Sequence, residues 1–218
     1  MKTFSAKWMM TILVVSGLVS SCKKIDNYVA PGEAGVYGTI TDAVTNKPIE
    51  TEQPNGFRIR LLELAYANPQ PLDFWGKSDG SFQNTKMFAG KYSIQPIEAP
   101  FVLPTAVEVD VNGQTKVDFK VEPFLRISDP VITKENGKLM IGYQLSRTVV
   151  TEKIAERAIF ISKGSTVSNS ANIKKVVTDL TGYTDEVILK QSYKDEIELG
   201  AGTYYVRVGA RTNNSSKR

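Results

Sequence analysis

Histidine is absent from the sequence, and cysteine occurs once, as Cys22. These two gaps exclude His-based catalytic triads, Cys–His nucleophile pairs and His-ligated zinc or iron sites. They also exclude a disulfide within the chain. Carboxylates, Tyr, Lys, Ser and Thr are what remains for catalysis. Charge of one sign is scarce too: the formal net charge is +4, and two of those charges, Lys2 and Lys7, lie at the extreme N-terminus. No basic run is interleaved with aromatics, so no nucleic acid partner is expected. Asp79-Gly80 lacks the spaced acidic ligands of a calcium loop. Gly200-Ala201-Gly202 is too short and too strand-flanked for a dinucleotide loop. Neither a metal nor a cofactor is expected.

Among the 218 residues, 16 Gly and 10 Pro fit a chain with many turns. The first stretch is different. Lys2 and Lys7 precede the apolar run 8–19, broken only by Thr11 and Ser16, and Val19-Ser20-Ser21-Cys22 follows. A basic start, an apolar core short for a bilayer span and small residues before a cut point predict an export signal over 1–21. The small residues ending in Cys22 resemble a bacterial lipobox. That resemblance implies cleavage before Cys22, acylation of its thiol, and anchoring in a membrane through several acyl chains. A plain secretory signal with an incidental Cys is the alternative. Residues 22–34 read as a lipidated, polar tether containing Pro31-Gly32. Lys23-Lys24 come directly after Cys22 and Asp26 stands alone, unlike the acidic run that follows the Cys in surface-exported Bacteroidetes lipoproteins. The membrane face is therefore left open.

From residue 35 the pattern is that of β-structure. Val36, Gly38 and Ile40 alternate with Tyr37, Thr39 and Thr41, and Phe57, Ile59 and Leu61 alternate with Arg58 and Arg60. Leu72, Phe74 and Gly76 form a third inward set, with Asp73, Trp75 and Lys77 outward. Ser78-Asp79-Gly80-Ser81 predicts a hairpin turn, in which Asp79 and Gly80 are structural. Ala89-Gly90 predicts a second turn, with Gly90 structural, before Tyr92 and Ile94. Val107, Val109 and Val111 lead to Asn112-Gly113, a hairpin signal, and Val117, Phe119 and Val121 answer it. These short strands predict an all-β fold whose first domain, 35–122, is an antiparallel β-sandwich.

Residues 123–218 predict a second antiparallel sandwich. Leu139, Ile141, Tyr143 and Leu145 alternate after Asn136-Gly137, and Ala155–Ser162 holds a further strand. Lys163–Lys175 reads as a loop, and Val176-Val177 and Val187–Leu189 as short strands. Leu199–Ala210 resembles the tyrosine-corner strand of a fibronectin type III or immunoglobulin-like sandwich, with Tyr204 as the structural corner residue. Such a fold has one more strand. The expectation is a fragment lacking that strand, or an open edge that docks a donated one.

Several stretches carry a family resemblance. Gly35–Asp42, Asn46-Lys47-Pro48-Ile49, Asp79–Phe82 and Gly90–Ile94 resemble a carboxypeptidase-regulatory, transthyretin-like domain. Thr51–Phe57 (Thr-Glu-Gln-Pro-Asn-Gly-Phe), Pro69–Trp75 and Asn84-Thr85-Lys86 resemble lipoproteins of the domain-of-unknown-function 3823 family from Bacteroidetes. The resemblance implies a non-catalytic outer-membrane lipoprotein, an accessory glycan-binding or assembly component of a starch-utilisation-type polysaccharide uptake system. Its implied partners are a TonB-dependent transporter and that system's glycan-binding lipoprotein. A docking lipoprotein with no ligand is one alternative. A carboxylate glycosidase, using pairs such as Asp73 with Asp79 or Glu108 with Asp110, is another.

Trp75 is the leading candidate for an oligosaccharide contact. Alternation turns it outward beside Asp73 and Lys77, and its flat apolar face suits a sugar ring. Burial under the second domain or a loop is the competing expectation. Tyr37, Tyr66 and Phe101 are the further candidate ligand-binding aromatics.

Overall fold

The structure, a computed structural model, describes residues 32–214. The expected signal peptide, Cys22 and all but the last residues of the expected tether lie outside the described residues. Residues from Gly32 onward form one compact unit, built from two sandwiches.

The first sandwich has eight strands: β1 (Ala34–Asp42), β2 (Arg58–Glu63), β3 (Leu72–Trp75), β4 (Ser81–Met87), β5 (Gly90–Ile97), β6 (Val107–Val111), β7 (Gln114–Lys116) and β8 (Phe119–Val121). One sheet runs β3-β2-β5-β6; in the other, β1 pairs with β4, β7 and β8. All pairings are antiparallel except those of β7 and β8, which lie parallel to β1. Inward residues of both sheets, among them Val36, Ile40, Phe82, Ile59, Leu61 and Ile94, are fully buried in one core. Phe57–Phe101 and Phe82–Phe119 are tilted ring pairs 6.3 and 6.2 Å apart, an arrangement that adds to plain area burial.

Gly76 is buried, as expected, and must lack a side chain, because a Cβ there would sit 1.9 Å from the Phe57 ring. Leu72, expected inward, is 53% exposed; β3 is a sheet edge, and core cover begins only at Phe74. Gly80 has φ +80° and its backbone lies against Ile49, so the Asp-Gly turn forms as expected. Asp79 Oδ1 accepts from the Ser81 amide at 3.0 Å and its hydroxyl at 2.7 Å. The strands it joins are not a hairpin, however: β3 pairs with β2, and β4 with β1 in the opposite sheet. Asn112-Gly113 likewise carries the chain from one sheet to the other, since β6 pairs with β5 and β7 with β1. At Gly90 φ is not positive and an added Cβ would meet nothing closer than 3.8 Å, so glycine is not required there.

The second sandwich pairs two three-stranded antiparallel sheets. One is β13-β10-β9, made of β9 (Leu125–Glu135), β10 (Lys138–Arg147) and β13 (Ser192–Glu198). The other is β12-β11-β14, made of β11 (Ile154–Ser162), β12 (Lys174–Asp179) and β14 (Tyr205–Thr212). Asn136 and Gly137, at φ 48° and 79°, close a true two-residue hairpin between β9 and β10. Pro130 sits in β9, an edge strand, next to a register shift, where a missing N–H is tolerated. Val187–Leu189 is not a strand. It belongs to α1 (Asp185–Lys190), a short helix with acidic residues in its first turn and Lys190 in its last, the order the helix dipole favours. Tyr204 packs against the second core just before β14. Among the described residues its hydroxyl makes no hydrogen bond, so here the corner is a packing contact.

The sandwiches are tied together by polar contacts. Arg126 of β9 donates from Nε and Nη2 to the buried Asp42 carboxylate, at 2.5 and 2.9 Å. Arg207 donates to the Thr51 carbonyl at 2.8 Å. The Asn169 amide donates to Glu52 at 3.0 Å, and the Ser170 hydroxyl reaches the Gln53 carbonyl at 3.4 Å. Thr51–Phe57 therefore acts as a clamp: its first three residues hold the second sandwich, and Phe57 anchors it in the first core.

Candidate functional site

The outer face of sheet β3-β2-β5-β6 collects the polar and aromatic residues that strand alternation turns away from the core. Pairing places Trp75 beside Arg58, and Arg58 beside Ile97. The next row places Asp73 beside Arg60, and Arg60 beside Gln95. Neighbouring strands lie about 4.8 Å apart, so each three-strand row spans about 10 Å. Rigid strands, not loops, set these spacings.

Trp75 is 40% exposed. The Arg58 guanidinium lies 5.3 Å from its ring centroid, a cation–π distance. Arg58 also bridges two carboxylates, Asp73 at 2.9 Å and Glu98 at 3.1 Å. Arg60 grips Asp73 with a two-pronged contact, Nε to Oδ1 and Nη2 to Oδ2, both 2.8 Å. Asp73 thus accepts from two guanidinium groups with its side chain only 12% exposed. The Arg60 hydrogen bonds hold its carboxyl below the usual carboxylate value, against the opposing effect of burial. Such a group stays ionised at neutral pH and has no proton to give. Gln95 is fixed by its amide donating to the Pro104 carbonyl at 2.9 Å.

The four candidate aromatics do not converge. Tyr37 is 39% exposed, on the outer face of the opposite sheet, between Gln83 and Lys116. Tyr66 is 64% exposed in the loop after β2, while Trp75 pairs with the first residue of that strand. About 17 Å of strand separates them, at about 3.3 Å per residue. Phe101 is fully buried against Phe57 and cannot meet a ligand; the short run around it forms a bridge to Pro123 that seats the ring in the core. Arg58, Arg60 and Gln95 are the residues that alternation alone did not single out. Their signal was there, as outward positions of neighbouring strands, but which strands neighbour one another is a tertiary fact. Of the carboxylates, Glu108 pairs with Lys91 at 2.7 Å and Asp79 holds its turn.

A concavity lies in the other sandwich. It is a shallow depression of about 350 Å³ on the outer face of β13-β10-β9, where Gly142 leaves a gap among Val131, Met140, Gln144, Ser192 and Lys194. The tyrosines at its floor, Tyr143 and Tyr193, turn inward and are buried.

Residues 34–122 match the N-terminal domain of a protein of unknown function, DUF3823, and residues 125–218 match the domain of unknown function DUF3823_C. A DUF3823 family protein from Bacteroides uniformis is similar in structure at 23% identity and TM-score 0.72, covering 86% of this chain and 95% of that one. One from Parabacteroides merdae is similar at 20% identity and TM-score 0.72, covering 87% and 95%. A further Bacteroides uniformis protein, provisionally described as carbohydrate binding, is similar at 23% identity and TM-score 0.69, covering 84% and 91%. Among curated proteins, none matches. At these identities the structural likeness speaks for the fold; the family matches, which together span nearly all the described residues, show that the chain belongs to the DUF3823 family.

Proposed function

We propose that this chain is a non-catalytic, lipid-anchored accessory protein of a bacterial outer-membrane glycan-uptake system, and that it binds oligosaccharide on the face centred on Trp75. The observation that carries the reading is the pairing of an exposed Trp75 with a fixed fringe of Arg58, Asp73, Arg60 and Gln95 on one rigid sheet face. An aromatic plane beside oriented donors and acceptors is the chemistry that a sugar ring and its hydroxyls require. The related Bacteroides uniformis protein provisionally described as carbohydrate binding supports the same direction. Anchoring rests on Cys22, and the implied partners are a TonB-dependent transporter and its glycan-binding lipoprotein. A docking role without ligand is the second reading.

Protein beginning at Gly32, the compact unit, retains Trp75 as its only Trp because Trp8 is removed. Titration with plant and host oligosaccharides is expected to shift or quench its emission saturably for one glycan class, and Trp75→Ala is expected to abolish binding measured by calorimetry. Emission and heat that stay flat with every sugar would move the weight to docking. Labelled palmitate is expected to mark the full chain but not Cys22→Ser; equal labelling of both would overturn the anchor.

A further inference from the structure

The Trp75 face carries charges of both signs. Three cations, Arg58, Arg60 and Lys91, project from it, against four carboxylates, Asp73, Glu98, Glu108 and Asp110. Each cation is already engaged: Arg58 by Asp73 and Glu98, Arg60 by Asp73, and Lys91 by Glu108. Just beyond β3 lies Lys77, whose charge helps to lower the Asp79 carboxyl but which forms no ion pair among the described residues. An incoming carboxylate or sulfate would meet a sheet face with no net positive charge, on which each strand-borne cation is held by a carboxylate. To reach Arg60 it would have to displace Asp73 from a two-pronged contact, or else settle beside Glu98. A hydroxyl asks for neither. It can donate to a carboxylate oxygen or accept a further guanidinium N–H while every ion pair stays in place. The face is also a sheet surface open on its outer side, and its contact groups line up across β3, β2 and β5. That shape accommodates the length of a chain, not one buried terminal residue.

Resting on the glycan-binding reading above, we infer that the occupant is a neutral glycan, without uronate or sulfate groups, laid across the strands from Trp75 toward Gln95. Asp73 is the specificity-determining residue, because it contacts both arginines and, together with Glu98, balances their charge.

The test uses protein from Gly32 onward and a glycan array holding neutral, uronate-containing and sulfated oligosaccharides. The best neutral ligand is then compared with the same oligosaccharide oxidised at its primary alcohols to uronates. Binding of the neutral form, changing less than twofold between low and physiological salt, and at least tenfold weaker binding of the oxidised form, is the expected result. Asp73→Asn is expected to narrow that gap at least threefold, by leaving a guanidinium in surplus. Tighter binding of uronate or sulfated chains that collapses as salt is added would overturn the inference while leaving glycan binding intact. Equal binding of native and oxidised forms would overturn it as well. Binding of neither class would overturn the glycan reading and this inference together. The oxidation comparison needs no variant, so it decides the matter even if Asp73→Asn fails to fold.

Discussion

Replacing Asp42 with Asn removes the charge that joins the two sandwiches. The Asp42 side chain is 7% exposed and that of Arg126 24%. Besides Arg126, the carboxylate accepts from the Val44 amide at 2.8 Å and the Thr45 amide at 3.4 Å. Deleting one partner of a buried ion pair costs about 3–5 kcal/mol, because the other charge is left behind. Arg126 keeps some water contact and Asn retains one oxygen for the Val44 amide, so a value at or below the bottom of that range, about 2–3 kcal/mol, is expected. For a chain of this size that corresponds to a fall in Tm of about 4–12 °C. The pH dependence carries its own sign. Hydrogen bonding to Arg126, aided by the two amides, holds the folded carboxyl well below its usual value. An unfolded Asp takes up its proton near pH 4. The unfolded state therefore binds more protons as pH falls through that region, and the contribution, complete above it, is lost progressively below about pH 4. Thermal and urea unfolding of the Gly32–Arg218 protein should show a constant gap between wild type and Asp42→Asn from pH 7 to 5, narrowing at lower pH. A Tm unchanged at pH 7, or a gap that does not narrow in acid, would refute the reasoning. So would a cycle with Arg126→Met in which the two losses simply add.

Two further expectations concern the cores. Gly76→Ala drives a methyl into the fully buried Phe57 ring; it is expected to cost about 1–3 kcal/mol, whereas Gly90→Ala, which meets no close atom, leaves the urea midpoint unchanged. In the second core Tyr143 stacks on Tyr193 at 5.3 Å and accepts from Arg157 at 2.7 Å. Burial pushes the Tyr143 phenol up to about 12, with Arg157 pulling the other way. Its folded value lies above the unfolded one, so this contribution is present below about pH 10 and is lost as pH rises toward 12. An ultraviolet phenolate titration should show a late-ionising tyrosine that Tyr143→Phe removes; an unchanged titration curve would count against the assignment.

Alternation in the sequence determined most of the strands, because side chains on successive residues point to opposite faces wherever a sheet has one buried side. Val36 and Ile40 inward, Tyr92 and Ile94 inward, Trp75 outward: each could be read from its immediate neighbours, and each stands that way in the fold. Turn chemistry was legible for the same reason, since a positive φ is a local demand that Gly80, Gly113 and Gly137 meet. Pairing was not legible, and two Asn-Gly turns show why. Asn136-Gly137 closes a hairpin, yet Asn112-Gly113, with the same local signal, passes the chain from β6 in one sheet to β7 in the other. A glycine sets its own dihedral angles; the partner of a strand is set by which sheet edge can bury the flanking apolar residues. Phe101 failed as a surface candidate on this count, because nothing in its own stretch reveals the Phe57 ring waiting across the core. Val187–Leu189 lies in a short helix that places Ile188 in the second core, with Asp185 and Glu186 in its first turn and Lys190 in its last, and three apolar residues in a row could not by themselves distinguish that from a strand. The Trp75 face divides along the same line. That Trp75 and Asp73 point outward is a property of one strand, but only the pairing of three strands brings Arg58, Arg60 and Gln95 beside them.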